Sequence, residues 1–143
     1  MIHFELVTLS GTKFAREVHE VRLPTPDGEI GVYTDHMPLV SVASPGIILV
    51  RPKDTTPDDQ MDVFATNGGV IEIMDNKIRV LVDEADHADE ISEKEAREAY
   101  ERALKHKAEA KDQVSLDAAQ GLMDRSAVRL RVAELKRHRK KRY

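Results

Sequence analysis

The stretch Asp27-Gly-Glu-Ile-Gly-Val-Tyr-Thr-Asp-His-Met-Pro-Leu39 brings several uncommon residues together in a fixed local order. Asp27-Gly28 is a strong turn dipeptide, and Gly31 permits backbone angles that are closed to other residues. Pro38 prevents a helix from running through the three residues before it. The pattern predicts a turn, a short strand and a second turn. Together these form a surface corner that presents Glu29, Tyr33 and His36.

Short apolar runs broken by turn residues extend from the first residues of the chain to about Val82. Residues 14–23 are expected to form one long, imperfect strand that ends at Pro24. Residues 46–50 are a continuous apolar run, which is typical of a strand buried on both faces. The first half of the chain is therefore expected to consist of β-strands.

The turn signals in this half favour antiparallel neighbours. Residues 61–66 alternate in character, and Asn67-Gly68 is a dipeptide that favours a two-residue hairpin. Asp75-Asn76 is then expected to turn the chain back into a further strand, which carries the apolar residues Ile78, Val80 and Val82. Many short strands at close spacing predict a β-sandwich or a flattened barrel. The polar residues 51–60 are interpreted as a surface insertion with no assigned role.

The periodicity changes after Asp83. Ser92 with Glu95 three residues later forms a capping box, which predicts a helix over residues 92–110. A second helix is expected to start near Ser115 and to continue past Leu135. The break between them is short, so the two helices should fold back antiparallel.

Small side chains dominate the faces that these helices are expected to share. Alanine-rich faces allow close approach but bury little apolar area, at roughly 25 cal/mol per Å². We therefore expect a hairpin of marginal stability, which suits either a detachable switch or an ordinary helical hairpin. The predicted contact residues are Ala96, Ala99, Tyr100, Ala103 and Leu104 on the first helix and Ala119, Met123, Ala127 and Leu130 on the second.

The predicted fold class is α+β, mainly β. An antiparallel β-sandwich spans residues 1–84, an acidic linker spans 85–91, and an antiparallel two-helix hairpin spans 92–143.

Composition narrows the classes of function. Among 143 residues, 34% are charged, 4% are aromatic and none is cysteine, which excludes a disulfide framework, a thiolate zinc site and a cysteine nucleophile. No signal or transit pattern is expected at the amino terminus, and no apolar run approaches the roughly 20 residues that span a bilayer. Acidic residues crowd positions 83–101, whereas positions 136–142 are almost purely basic. This asymmetry indicates either a partner for one end or pairing between the two.

Several short motifs occur in a specific order along nearly the whole chain. They are Asp-Gly-Glu-Ile-Gly-Val-Tyr at 27–33, His36 with Pro38-Leu39, Pro45-Gly46, Thr-Asn-Gly-Gly-Val-Ile-Glu-Ile at 66–73, Lys-Ile-Arg-Val-Leu-Val at 77–82 and Arg-Leu-Arg-Val-Ala-Glu-Leu-Lys at 129–136. In this order and spacing the chain resembles the epsilon subunit of bacterial F-type ATP synthases.

The resemblance implies a non-catalytic rotor subunit of the central stalk, peripheral on the cytoplasmic side of the cell membrane and attached there only through its complex. The implied partners are the gamma subunit, the c-subunit ring and the catalytic alpha and beta subunits. Glu29 is implied as a ring contact and His36 as a gamma contact, with Tyr33 beside them. The basic residues of the extended second helix would face alpha and beta, through Arg131, Lys136 and Arg137. No nucleic acid partner is expected, because aromatic residues do not interleave the basic tail apart from Tyr143.

Three arginines suggest an anion site in the helical hairpin. Arg125 and Arg129 share one helix face, and antiparallel folding brings Arg102 to their level. Guanidinium groups bind phosphate oxygens well. By resemblance this is where several bacterial epsilon subunits bind ATP, as a regulatory ligand and not a required cofactor. Two departures weigh against ATP here, since Ser92 replaces the expected Asp and Glu95 replaces the expected Arg.

A hypothesis follows from the second departure. The antiparallel register places Glu95 near the level of Arg129, so Glu95 is expected to pair with Arg129 and to replace part of the charge of a phosphate. The alternative function is a free-standing nucleotide-sensing module that uses the arginine cluster without a rotary partner. An enzyme is not expected, because no set of nucleophile, base and oxyanion donors can be assembled.

Overall fold

A computed structural model of the chain describes residues 1–141, with side-chain surroundings through Arg139. The chain splits into two compact units, Met1–His87 and Ala88–Tyr143, which we call the β unit and the helical unit. The predicted hairpin and its basic tail extend over residues 142–143, which lie outside the described residues. The strands, in chain order, are β1 Ile2–Thr8, β2 Gly11–Val18, β3 Glu20–Thr25, β4 Gly28–Val32, β5 Leu39–Ala43, β6 Gly46–Arg51, β7 Asp62–Thr66, β8 Gly69–Met74, β9 Lys77–Val82 and β10 Ala85–His87.

The strands form two five-stranded sheets. Sheet A has the order β2-β1-β9-β8-β5 and sheet B has the order β10-β7-β6-β3-β4. All neighbours are antiparallel except β1 and β9, which are parallel. The predicted antiparallel β-sandwich followed by two helices is therefore confirmed, with one parallel pair added.

The core of the β unit contains large side chains from both sheets. Alternate residues of each strand point inward, as expected where one face of a sheet is buried. All three phenylalanines meet here, with ring centroids 5.7 Å apart for Phe4 and Phe14 and 5.4 Å apart for Phe14 and Phe64. Each buried large side chain contributes about 1.5–3 kcal/mol to stability. Other fully buried residues are Ile2, Leu6, Val21, Leu23, Ile48, Val50, Ile78 and Val80.

The prediction of a single strand over residues 14–23 is wrong. The chain leaves sheet A after Val18 and enters sheet B at Glu20, so β2 and β3 lie in different sheets. The apolar pattern is similar on both sides of the crossing, which is why the sequence does not reveal it. Pro24 remains within β3, where it lies opposite Glu29 of β4 and beyond the three residues that pair with β6.

The predicted Asn67-Gly68 hairpin is also wrong. β7 lies in sheet B and β8 in sheet A, so this segment crosses between sheets. Gly68 has φ +98, and a Cβ on Gly69 would lie 1.9 Å from the carbonyl oxygen of Leu81. Gly69 therefore allows the backbone of this segment to approach the backbone of β9 closely. The other predicted turn is confirmed, since Asp75 and Asn76 have φ 50 and 60 and join β8 to β9.

Burial in β6 and β7 is the reverse of the expectation. β6 alternates between buried and half-buried residues, whereas four consecutive residues of β7, Val63 to Thr66, are buried. Whether a strand is buried on one face or on both depends on what covers the outer face of its sheet. The sequence of the strand itself does not encode that cover. Ala85–His87, where the sequence predicts the start of a linker, forms β10 and pairs with β7.

The helical unit contains α1 Glu93–Glu109 and α2 Gln113–Lys141, preceded by a short 3-10 helix at Ala88–Glu90. Ser92 caps α1 as predicted, with its hydroxyl accepting from the backbone N of Glu95 at 3.3 Å. α2 begins two residues earlier than expected because the carboxylate of Asp112 accepts from the backbone N of Ser115 at 2.7 Å. That hydrogen bond lowers the pKa of Asp112.

α1 and α2 pack against each other. The predicted contacts Ala96, Ala103 and Ala119 are buried, but Leu104 is 42% exposed and Ala127 is exposed. Ser126 is buried in place of its neighbour Ala127, a shift of one residue around α2. The largest buried side chain on α1 is alanine. On α2, however, Val128 and Val132 are buried as well, and the marginal stability expected of the hairpin stays a prediction.

Candidate partner-binding surfaces

The corner at residues 27–39 consists of two turns that are held by hydrogen bonds. Gly28 has φ +119 at the β3–β4 turn, where the hydroxyl of Thr25 donates to its carbonyl oxygen at 2.6 Å. The expectation that Gly31 needs an unusual backbone angle is wrong, because it lies in the regular strand β4 and the positive φ falls on Asp35 at 62. Asparagine and aspartate tolerate this conformation because their side chains bond locally.

Asp35 is fixed by the turn between β8 and β9. Its backbone N donates to the side-chain oxygen of Asn76 at 2.6 Å, and the amide of Asn76 donates to the Asp35 carboxylate at 3.1 Å. His36 follows, with its Nδ1 bonded to the carbonyl oxygen of Met37 at 2.7 Å. The corner is thus held by residues 41 positions away in sequence.

The three corner residues named from the sequence have different surroundings. Glu29 is exposed on the edge strand β4, and His36 is half-buried. Tyr33 is 47% exposed, its ring packs edge-to-face on His19 at 5.9 Å, and its hydroxyl bonds to Glu20. This bond raises the pKa of Tyr33. Tyr33 therefore has a structural role within the β unit, while the contacts of all three with partners stay predictions.

Glu20 is the centre of a buried ionic network. Arg22 and Arg51 each donate from Nε to its carboxylate at 2.8 Å, and its side chain is 3% exposed. Burial is the largest influence and raises the pKa of Glu20, but hydrogen bonds from Arg22, Arg51 and Tyr33 lower it to about 2. Asp58 pairs with both arginines. The 51–60 segment, expected to be an insertion without a role, is anchored through this network.

An apolar stripe crosses the outer face of sheet A. Val42 lies opposite Val70, Val70 opposite Leu81 and Leu81 opposite Val7, so four strands contribute one residue each to a single row. Val42 is 58% exposed, Val70 45% and Leu81 43%, and Val7 is half-buried. We call these four residues the stripe. A contiguous row of exposed apolar residues makes the stripe a candidate interaction surface.

Charged residues border the stripe. The next row of the sheet contains Glu5, Arg79 and Glu72 and ends at Val40, which is 72% exposed. Glu5 accepts from Lys77 at 3.2 Å and from Arg79 at 3.3 Å, and the hydrogen bond with Lys77 lowers its pKa despite the opposing effect of burial. An apolar centre with a charged rim is the usual anatomy of a protein interface.

Sequence reasoning missed the stripe. Each of its residues lies on a different strand, and the row exists only because of the cross-strand register. The pattern of β5, Leu-Val-Ser-Val-Ala, does not show which of its alternating sets faces the core. The one available signal was the absence of charge on β5, which is an edge strand.

The structure brings together part of the predicted anion cluster. Arg102 and Arg129 line a groove of about 380 Å³ together with Glu95, Glu98 and Ser126. Arg125 is not among its lining residues. Two glutamates therefore stand beside two arginines, and Glu95 shares the groove with Arg129 as the hypothesis of internal pairing requires. Nucleotide binding by this groove stays a prediction.

The basic end of α2 pairs with acidic residues near the start of the helical unit. Lys136 Nζ lies 3.3 Å from a carboxylate oxygen of Asp89, and Arg137 Nη1 donates to Glu93 at 2.7 Å. Arg131 is exposed. Of the two interpretations of the charge asymmetry, pairing between the ends is therefore observed.

The described part of the chain contains no group of three or more histidine, aspartate, glutamate or cysteine residues placed to hold a metal ion. Over residues 1–141, neither helix combines the length and apolar character that crossing a membrane requires.

Comparison with known proteins gives consistent results. A family model described as "ATP synthase, Delta/Epsilon chain, beta-sandwich domain" matches residues 1–88. Similar proteins named ATP synthase epsilon chain include one from Chloroflexus aggregans, which is 30% identical over 94% of this chain and 93% of its own length. One from Herpetosiphon aurantiacus is 32% identical over 96% and 98%, and one from Staphylococcus aureus is 32% identical over 94% and 98%.

Two solved structures share the fold. A chain in the Euglena gracilis mitochondrial ATP synthase, described as OSCP/F1/c-ring, superposes with a TM-score of 0.73 at 22% identity, covering 86% of this chain and 75% of its own. A chain in the central stalk and c-ring of the Tetrahymena thermophila mitochondrial ATP synthase has a TM-score of 0.57 at 13% identity, covering 92% and 95%.

Proposed function

The chain belongs to the family of ATP synthase epsilon chains, and on that premise we propose that it couples rotation within the central stalk as a non-catalytic subunit. The β unit clamps the gamma subunit to the c-subunit ring, so that torque passes between proton flow and ATP chemistry. The helical unit restrains ATP hydrolysis when its helices extend and releases it when they fold back. The complex holds the chain on the cytoplasmic side of the cell membrane.

The stripe on sheet A is the observation that carries the coupling part of this proposal. Val42, Val70 and Leu81 offer a gamma subunit an apolar surface that water otherwise covers. His36 lies on the segment that leads into β5, at the corner tied to the β8–β9 turn. The stripe and the corner therefore provide a contact surface fixed to one rigid sheet.

Transmission of torque requires a body that does not deform. The β unit fits this role because its core joins both sheets through fully buried side chains. Closely packed interiors have low compressibility and transmit strain. Glu29, exposed at the edge of sheet B, supplies a polar contact for the ring.

The regulatory part of the proposal relies on the helical unit. The alanine seam between α1 and α2 buries little area, which allows the helices to separate at a small free-energy cost. Arg131, Lys136 and Arg137 then face acidic segments of the alpha and beta subunits. Opposite charges steer such docking and make it sensitive to salt.

The coupling proposal is tested by binding of the full chain to a purified gamma subunit. We expect Val42→Lys and, separately, Leu81→Lys to weaken binding at least tenfold, because each removes a buried apolar contact worth roughly 1.5 kcal/mol or more. Leu9→Lys is the matched control, because it makes the same kind of substitution at a residue that is 83% exposed, lies in the β1–β2 turn and belongs neither to the stripe nor to its rim; it should bind as the wild type does. Unchanged binding of both lysine variants would contradict the proposed surface.

The regulatory part is tested in the assembled complex. Truncation of the chain at Asp89 should raise the rate of ATP hydrolysis, because it removes the helices and leaves the β unit in place. An unchanged rate would exclude the regulatory role and leave the coupling role intact.

A second candidate function is regulatory nucleotide binding, which two arginines in one groove favour and two glutamates in the same groove oppose. Arg102 and Arg129 line a single groove of a size that suits a small ligand. Titration of the full chain with ATP should show no micromolar binding, because Glu95 and Glu98 supply negative charge within the groove. Micromolar affinity that Arg129→Ala abolishes would show instead that these glutamates do not block the site. A free-standing sensor would also purify without gamma, whereas a stalk subunit should purify with it.

A further inference from the structure

The last two turns of α2 are held differently from the rest of the helix. The buried residues of α2 are Ala119, Ser126, Val128, Val132 and Ala133, whereas no side chain from residue 134 to residue 139 is buried. Leu135, the one large apolar residue of this segment, is 38% exposed. Apolar burial therefore does not fix this end of the helix.

Ion pairs fix it instead. Lys136 Nζ lies 3.3 Å from Asp89 Oδ1, and Arg137 Nη1 lies 2.7 Å from Glu93 Oε1. The same Glu93 oxygen accepts from Arg97 Nη2 at 3.1 Å, and the Glu93 side chain is only 23% exposed. Asp89 and Glu93 flank the beginning of α1, so both bonds close the open end of the hairpin. We call the pairs Asp89–Lys136 and Glu93–Arg137 the latch.

The latch uses two of the three cations that the proposed function assigns to docking. A carboxylate of a partner has to displace Asp89 and Glu93 from Lys136 and Arg137 or share these cations with them. Either route lowers the affinity of the folded chain for an acidic surface, since the interaction between one cation and one carboxylate is already satisfied.

We infer that Asp89 and Glu93 act as an internal competitor, which occupies the partner-binding cations of α2 while the hairpin is closed. The partner that displaces them is an acidic polypeptide segment, because it must offer carboxylates to Lys136 and Arg137. This inference rests on the proposed function, from which it takes the docking role of these cations. It adds that release of α2 is a competition for Lys136 and Arg137 between two sets of carboxylates, those of Asp89 and Glu93 and those of the partner.

The first experiment measures closure in the isolated full chain. The chain has no cysteine of its own, so spin labels can be placed at Lys94→Cys and His138→Cys, both exposed. In Asp89→Asn with Glu93→Gln, the ratio of open to closed molecules should rise about threefold to tenfold, the size expected for two exposed or half-exposed ion pairs. Circular dichroism checks that the helices remain folded.

Two further variants separate the latch from a general effect of charge. Arg131→Gln removes a cation of the same helix that is outside the latch, and it should leave the ratio unchanged. The exchange Asp89→Lys with Lys136→Asp reverses one pair while it keeps the composition, and it should restore closure relative to Asp89→Lys alone. Raising KCl from about 0.05 M to 0.5 M should open the wild type more than the latch variant, because salt screens ion pairs.

The second experiment measures docking with a defined probe, a peptide of ten glutamates. Asp89→Asn with Glu93→Gln should bind the peptide about threefold to tenfold more tightly than the wild type, because no docking cation is lost and the competitor is gone. Arg131→Gln should weaken binding without a change in label distance. Equal affinity of the wild type and the latch variant would overturn the inference.

The outcomes distinguish the inference from the proposed function. An unchanged open-to-closed ratio in the latch variant overturns the latch and leaves the stalk role standing. A more open variant that inhibits ATP hydrolysis more strongly in the assembled complex supports both. A more open variant that binds the peptide more tightly but leaves hydrolysis unchanged supports the latch and overturns the regulatory half of the proposed function.

Discussion

The β unit and the helical unit differ in the size of the side chains they bury and in the burial of their ion pairs. The β unit buries large side chains such as Phe4 and Phe64 and encloses the ionised Glu20 within its arginine network. The helical unit buries alanines along α1 and keeps its ion pairs at or near the surface. A buried large side chain contributes about 1.5–3 kcal/mol, whereas an exposed ion pair contributes at most about 1 kcal/mol. One chain therefore combines a stiff half with a weakly held half.

The largest effect is expected in the core of the β unit. Phe4→Ala should lower the free energy of unfolding by about 3–5 kcal/mol, because it leaves a cavity beside Phe14 as well as losing apolar burial. Urea unfolding followed by circular dichroism measures this change. Leu9→Ala, at a site that is 83% exposed, is the control and should change stability by less than about 0.5 kcal/mol. Similar values for the two variants would mean that the core is not what stiffens this half.

The ionic network of the β unit gives the next largest effect. Glu20→Gln should destabilise the β unit by about 1.5–3 kcal/mol, because Arg22 and Arg51 lose a charged acceptor. Its pH dependence has a definite sign. The pKa of Glu20 lies near 2 in the folded protein against 4.5 for the free group, so its stabilising effect is complete above about 4.5 and is lost as the pH falls toward 2.

Unfolding measured at a series of acid pH values checks this prediction. The wild type should lose stability more steeply than Glu20→Gln between pH 4.5 and pH 2. Parallel curves would show that Glu20 is not the group responsible.

Much of this contrast could be predicted from the sequence. Short strands, turn dipeptides and the capping box at Ser92 are local signals, and they identified the sandwich and the start of α1. Local signals do not state which sheet a strand joins. That is why the crossings at His19 and at Asn67-Gly68 were misread.

The candidate surfaces also differ in whether local sequence signals reveal them. The corner residues Glu29 and His36 stand out in a local motif, so the sequence singles them out. The stripe depends on the register of four strands, and the Glu93–Arg137 pair joins residues 44 positions apart. Charge asymmetry indicated that the two ends could pair, but the specific partners follow only from the antiparallel packing of α1 and α2.

A smaller effect is expected at the start of α1. Ser92→Ala removes the hydroxyl that accepts from the backbone N of Glu95, and it should destabilise the helical unit by about 1 kcal/mol. Helix content near physiological temperature, measured by circular dichroism, should fall, while the thermal transition of the β unit stays in place. Ser10→Ala, an exposed substitution in the β unit, is the control. Equal effects from the two substitutions would contradict a specific role of Ser92 in stabilising the helical unit.

The smallest expected effect has the opposite sign. Gly121 lies within α2, and a Cβ there would meet nothing within 4 Å. Gly121→Ala should therefore stabilise the helical unit by about 0.5–1 kcal/mol through its higher helix propensity. Loss of helix content on heating, followed by circular dichroism, should shift to higher temperature. A shift to lower temperature would show that close packing at Gly121 matters, contrary to its open surroundings.

Hydrogen exchange of the full chain, read by mass spectrometry, tests the central contrast most directly. Amides of β1, β9 and β6 should exchange only through global unfolding of the β unit. Amides of α1 and α2 should exchange at least about tenfold faster, because opening the helical unit requires less free energy. Protection of α1 and α2 equal to that of β1 and β9 would contradict the division into a stiff half and a weakly held half.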